Sequence, residues 1–492
     1  MAGLSIDFTR AELYRAIKKV DTNIWEIPKN FRPYMRVPAR LYMTKKLLDE
    51  TEDGAIQQLM NMASLPGIVK YSIALPDAHW GYGFCIGGVA AFDVEEGIIS
   101  PGGIGYDINC GVRFLITDPP LMLEDIKDKL RDLLQALKKY IPAGVGRGGR
   151  IRLSDADFDE VMRAGAKWAV ENGFGYEKDL EHIEDGGCLE GADPSKVSAR
   201  ARQRGRNQLG TLGSGNHYIE VEVISEIYDE HAAKVMGIKE VGQIGVMIHT
   251  GSRGFGHQVA SDYLDILRRA ARKYNIRPRD IQLIYAPFNS PEGQSYFAAM
   301  KAAANYAFTN RQMITHWARQ AFREVFGEEV ELKLVYDVAH NIGKVEEHVV
   351  DGVRMKLIVH RKGATRGFAP GRPEIPQDYR NIGQPILIGG NMLQGSYILV
   401  GVEKAMRETF GSTVHGAGRR LSRKAATRRF WGREVQRFLA EKGILVDAAS
   451  MKVLAEEAPE AYKDLHEVIE AAVGAGIARK VTHQRPLVVW KG

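Results

Sequence analysis

Apolar residues recur every three to four positions along four stretches of the chain. Residues 123–141 (LEDIKDKLRDLLQALKKYI), 257–274, 294–322 and 460–481 each place them on one face of a helix. Between these lie short runs rich in Val, Ile and Tyr that read as strands: 87–94, 218–224, 244–252, 331–340, 353–363, 384–390 and 396–402. The last residues, RPLVVWKG, read as one more. Many runs end in a glycine-rich turn that carries a polar or charged residue. A rigid scaffold often presents its functional groups in this way. Helices and strands mix without strict alternation, which does not support a plain doubly wound sheet. The expected class is α+β (mixed α/β), with a central mixed or antiparallel sheet surrounded by helices. No repeat or long linker divides the chain, so one large domain is expected over 1–492.

Bulk composition narrows the setting more than the function. The chain has 492 residues, 45% of them hydrophobic, enough for a large core. Lys plus Arg is 67 against 61 Asp plus Glu, a net charge of +6 that permits an anionic partner without demanding one. The three cysteines, Cys85, Cys110 and Cys188, do not make a disulfide framework. The N-terminus has no apolar signal core and no run is long enough to span a membrane. The expected location is the cytoplasm.

Candidate chemistry begins in SPGGIGYDINCGVRF, residues 100–114. Glycines let this segment turn sharply, so Asp107 and Cys110 can face one point, as two metal ligands would. Four of the 13 histidines lie at strand ends or in glycine-rich loops: His217, His249, His340 and His415. One catalytic metal takes three or four protein ligands, so these six groups are too many for it. They suit two metals bridged by the thiolate, or one metal with a reactive histidine. Basic clusters stand beside the same loops: Arg200, Arg202, Arg204 and Arg206 before GTLGSGNH; Arg361, Lys362 and Arg366; and Arg419, Arg420, Arg423 and Lys424. Arginine forks and glycine-rich backbone both bind phosphate, although no P-loop or dinucleotide fingerprint is present.

The stretches DINCGVR, LGSGNHYIEV, IHTGSRGFGHQ, DVAHN, HRKGATR and HGAGR, in this order and spacing, resemble the RtcB family. LPDAHWGYGF, NSPEGQSYFAAMKAAANYAFTNRQ and EAPEAYKD match as well, so the likeness runs from about residue 75 to 492. The resemblance implies an RtcB-like fold and an RNA ligase acting on 3′-phosphate or 2′,3′-cyclic phosphate ends and 5′-hydroxyl ends. It implies GTP and two Mn²⁺ ions, and a histidine that becomes guanylylated before the guanylate moves to the RNA 3′ end. tRNA splicing and RNA repair are the expected settings, with archease as a possible partner.

Carried onto this chain, the resemblance makes His415 the nucleophile and Cys110 the bridge between two metals. Asp107 and His217 complete one metal; His249 and His340 complete the other. The implied nucleotide site comprises Asn216, His217, Glu220, His340, Asn341, Asn391, Ser396, the loop Gly416, Ala417, Gly418 and Arg419, then Tyr462 and Lys491. Glu220 would accept from guanine and so select GTP. Arg204, Lys362 and Arg423 would meet RNA phosphates. A thiolate ligand ranks zinc above manganese by affinity, so manganese rests on the resemblance alone. Where the family has proline, Cys85 stands in GYGFCIGG and is expected to pack in the core; IGGNMLQGSY also departs from the family pattern. Two other readings use part of this set. A dinuclear metal phosphodiesterase needs the ligands but no nucleophile loop. A noncatalytic RNA-binding protein needs only a structural metal.

Overall fold

The computed structural model describes residues 4–492. Its strands gather mainly into two sheets. The first has seven strands in the order Lys18–Asp21, Ile24–Ile27, Ala39–Tyr42, Ser72–His79, Ile86–Asp93, Val353–Lys362, Asn341–Val350. The second runs Glu331–Ala339, Gly111–Asp118, Ile244–Thr250, Tyr218–Ile227, Arg479–Lys491, Ser396–Val400, Pro385–Gly389, with Leu445–Ala448 pairing on Arg479–Lys491. Neighbours are antiparallel except at Ala39–Tyr42 on Ser72–His79 and at Leu445–Ala448 on Arg479–Lys491. The mixed, largely antiparallel core of an α+β fold is present, divided between two sheets. One apolar cluster reaches from Phe8 to Trp490 and takes residues from both. Among the described residues no helix is long and apolar enough to cross a membrane.

The longest helix is Pro291–Phe326. Ser290 caps it by accepting from the Gly293 N–H, and Pro291 sits where a helix donates no N–H inward. Its middle is buried almost all round, and Ala302, Ala303, Ala304 and Ala307 let the neighbouring helices close on it. Its buried polar side chains reach out to loops instead. Asn310 accepts from the Gly210 N–H at 2.7 Å and donates to the Gly251 carbonyl at 3.1 Å. Arg311 donates to the carbonyls of Asn109 and Thr250 at 2.8 and 3.0 Å. The helix is thus a rigid post to which the site loops are tied.

All four expected helices differ in extent. The stretch 123–141 holds two helices, Leu123–Ile126 and Leu130–Tyr140, parted by a 3-10 turn at Lys127–Lys129, and the helix expected over 294–322 extends to Pro291–Phe326. The one expected over 460–481 spans only Leu465–Gly474. Gly476 takes φ +74, which glycine reaches without a Cβ clash, and the chain turns into the strand Arg479–Lys491. The helix expected over 257–274 starts earlier and spans Arg253–Ala270.

Asp337 locks this arrangement. Its carboxylate accepts from Arg113 Nε at 2.7 Å and from Arg311 Nε and Nη2 at 2.9 Å, with all three side chains fully buried. Removing the carboxylate strands two guanidinium charges in the core. Asp337→Ala is expected to cost about 3–5 kcal/mol of stability. Equilibrium denaturation checks this, and a midpoint equal to that of the unmodified protein would refute it.

Candidate functional site

The chain passes from the second sheet into the first at His340, the single residue between Glu331–Ala339 and Asn341–Val350. The other candidate groups meet it there. In the loop before Gly111–Asp118, Asn109 is left-handed at φ +52. Arg311 holds the Asn109 carbonyl and Oδ1, and Asn109 Nδ2 donates to the Ala304 carbonyl at 2.7 Å. The Cys110 N–H donates to the Asp107 carbonyl at 2.9 Å, which closes the turn. Asp107 and Cys110 therefore face the same point. His217 Nε2 lies 2.8 Å from Asp107 Oδ2 and 3.4 Å from Cys110 Sγ. His249 Nε2 lies 3.3 Å from Cys110 Sγ and 3.3 Å from His340 Nε2. Two groups result, Asp107–Cys110–His217 and Cys110–His249–His340, with Cys110 common to both.

Backbone carbonyls orient these rings. His217 Nδ1 is 2.9 Å from the Leu212 carbonyl and His249 Nδ1 is 3.1 Å from that of Asn216. A carbonyl can only accept, so Nδ1 carries the hydrogen and Nε2 offers its lone pair to the centre. Burial pushes the His249 and His340 imidazoles well below their usual range, which keeps them neutral. Burial and the Asp107 carboxylate push the Cys110 thiol up. Only a nearby cation would draw that proton off, and a coordinated thiol is deprotonated outright. Neutral imidazoles, a thiol and a carboxylate, converging without a protein cation among them, fit divalent metal.

His415 stands at the edge of the second group, its ring centroid 4.8 Å from that of His340. Its Nδ1 is 2.5 Å from Asp77 Oδ2, which also accepts the His415 backbone N–H at 3.0 Å. Burial alone would push the Asp77 carboxyl up; His415 outweighs it and holds the carboxyl below its usual range. An ionised Asp77 keeps the hydrogen on Nδ1 and leaves Nε2 as the free nucleophilic atom. Gly363, at φ +60, backs the ring closely enough that a Cβ there would lie 3.0 Å from His415 Cε1. Asp77 lies in LPDAHWGYGF but was not foreseen as functional. A buried carboxylate inside the apolar strand Ser72–His79 was its one signal.

A cavity of about 340 Å³ opens over these groups. Asp107, Cys110, His249, His340, Asn341, Lys362, the segment from His415 to Arg419, Asn216, Arg423, Tyr462 and Lys491 line it. At one end Lys491, delivered by the last strand beside Tyr218, donates to the Asn216 carbonyl at 3.4 Å and lies 5.0 Å from the Tyr218 ring centroid. Glu457, unforeseen from the sequence, organises this end. It binds Arg419 at 3.0 Å and the Tyr462 hydroxyl, and lies 3.7 Å from Lys491. Burial would raise its carboxyl, but Lys491, Arg419 and Arg423 hold it below the usual range. Glu220 lies behind this wall, its carboxyl pushed up to about 7 by burial against the opposing pull of Lys491.

Five expected residues are not on the cavity wall: His217, which faces Asp107 and Cys110, and Glu220, Ser396, Asn391 and Arg204. Ser396 donates to Glu222 at 2.9 Å, and Asn391 Oδ1 accepts from the N–H groups of Leu393 and Gln394 in its own turn. Arg204 is exposed and donates to Gln258 at 3.1 Å. Cys85 is fully buried, its Sγ 3.9 Å from Met62 Sδ.

Comparison with known proteins agrees in extent with this architecture. Residues 58–492 match the family model described as tRNA-splicing ligase RtcB. The tRNA-splicing ligases RtcB of Thermococcus kodakarensis and Archaeoglobus fulgidus are each 55% identical to this chain, over 97% of it and 99% of theirs. That of Nanoarchaeum equitans is 48% identical over the same shares. Such identity spans both sheets, the long helix and every loop of the site, and the chain belongs to the RtcB family.

Proposed function

We propose that this protein is a GTP- and Mn²⁺-dependent RNA ligase. It joins RNA 2′,3′-cyclic phosphate or 3′-phosphate ends to 5′-hydroxyl ends, in tRNA splicing and RNA repair, in the cytoplasm. The observation that carries the reading is the His415–Asp77 pair set against a double ligand group. A dinuclear phosphodiesterase would use the ligands but has no need of a second histidine primed in this way.

His415 Nε2 attacks the α-phosphorus of GTP, forming an N–P bond as the bond to pyrophosphate breaks. The imidazolium so formed keeps its Nδ1 hydrogen against the Asp77 carboxylate, which stabilises the charge. An oxygen of the RNA 3′-phosphate then takes the guanylate from the histidine. A cyclic end is first opened by water to a 3′-phosphate. The 5′-hydroxyl attacks the activated 3′-phosphorus and GMP leaves. Two divalent ions held by Asp107, Cys110, His217, His249 and His340 would neutralise phosphate charge at this place. Lys491 and Tyr462, fixed through Glu457, bound the guanine end, with Glu220 behind them. Asn216, Asn341, Asn391 and Ser396 complete the proposed nucleotide site. Lys362, Arg423 and Arg204 meet RNA phosphates, so binding weakens with salt. Archease is the proposed activator.

Intact mass after incubation with GTP and Mn²⁺ tests this. The expected result is a gain of one GMP, mapped to the peptide bearing His415. No gain, with metal bound and archease supplied, would refute the ligase.

A further inference from the structure

Three aromatic residues of the cavity belong neither to the ligand groups nor to the proposed nucleotide site. They are Tyr82, Tyr106 and His257, which line the cavity side by side. The Tyr82 and Tyr106 rings meet edge to face, with centroids 5.2 Å apart. His257 stacks on Tyr106 at 5.6 Å, with 22° between the planes. Both tyrosines pack on an apolar cluster of Leu264, Leu267, Ile284 and Ala286, yet remain only half-buried, and His257 is exposed. The rings are therefore held in place with surface left open.

Cations stand beside these rings. Lys362 Nζ lies 6.0 Å from the Tyr82 ring centroid, and Arg268 donates to the Tyr82 hydroxyl at 2.9 Å. Arg204 is tied to Gln258, the residue after His257. A core aromatic cluster would be sealed from solvent and would need no ring of cations. Open aromatic faces beside phosphate-binding cations are how proteins hold single-stranded nucleic acid without reading its sequence.

We propose that Tyr82, Tyr106 and His257 form a stacking subsite for the base of the terminal nucleotide at an RNA end. The proposal rests on the ligase reading and adds to it the place where the joined nucleotide lies. Every base has a π-face, so the subsite tolerates any terminal base, and a ligase of ends with varied sequence needs this. Losing a stack of this kind weakens binding about tenfold.

The test uses the full chain and two oligoribonucleotides, without GTP. One carries 2-aminopurine at a 3′-terminal nucleotide bearing a 3′-phosphate, the other at a 5′-terminal nucleotide bearing a 5′-hydroxyl. The expected result is a fluorescence change on binding in at least one arm, which identifies the end that stacks. Tyr82→Ala should erase the change and weaken binding about tenfold, Tyr82→Phe should retain it, and His257→Ala should diminish it. Guanylylation of Tyr82→Ala by GTP should equal that of the unmodified protein, which excludes misfolding. The subsite is overturned if bound RNA shows no change in either arm. It is equally overturned if Tyr82→Ala and His257→Ala both keep the full change. A missing guanylate adduct on the unmodified protein would refute the ligase reading alone, because the stacking signal is read without GTP.

Discussion

His415→Ala will yield no guanylate adduct and will lower RNA joining by at least about a thousandfold, while metal content stays unchanged. In the proposed reaction the nucleophilic atom is Nε2, and the groups nearest to it are engaged elsewhere. His249 and His340 turn their Nε2 atoms toward Cys110 and toward each other. Lys362 donates to the backbone carbonyls of Tyr82 and Gly102. Asp77→Asn tests the same pair from the other side. An amide can donate to Nδ1, which moves the ring hydrogen to Nε2 and blocks its lone pair. By analogy with the same change in a hydrolase triad, adduct formation should slow by about 10⁴-fold with the metals still bound. Intact mass against time separates the two variants: none for His415→Ala, slow for Asp77→Asn. Adduct formation by Asp77→Asn at the unmodified rate would show that Asp77 only braces the loop.

Much of this site could be read before folding, and the remainder could not, for a definite reason. Asp107 and Cys110 are three residues apart in a glycine-rich turn, so local sequence alone suggests that they converge. His217, His249 and His340 stand at ends of apolar runs, where a strand fixes direction. Asp77 has no such local mark: its partner lies 338 residues away, in the loop after the short strand Ser412–Thr413, and only the folded chain brings the two together. Glu457 follows the same rule, gathering Arg419, Tyr462 and Lys491 from separate elements. The shortened helix at Leu465–Gly474 shows a different limit. Apolar spacing continues past Gly476, but the left-handed glycine and the pairing of 479–491 with three neighbouring strands override it.

Cys110→Ala will lower bound metal from the proposed two ions per chain to at most one and reduce RNA joining below detection. Its sulfur is the one atom common to both ligand groups. Without it Asp107 and His217 remain on one side and His249 and His340 on the other, two protein donors each, short of the three that catalytic sites usually keep. Cys110→Ser should fare little better, because a serine hydroxyl does not ionise near neutral pH as a metal-bound thiol does. Cys85→Ala is the control: that thiol is equally buried but packs on Met62, and its loss should leave metal content untouched. Elemental analysis of the purified variants gives the stoichiometry directly. Two ions retained by Cys110→Ala would mean that the sulfur bridges nothing, and the two groups would then be separate sites that happen to touch. One ion retained, with the His415 adduct still forming from GTP, would assign the nucleophile's activation to the His249–His340 side, on which His415 borders.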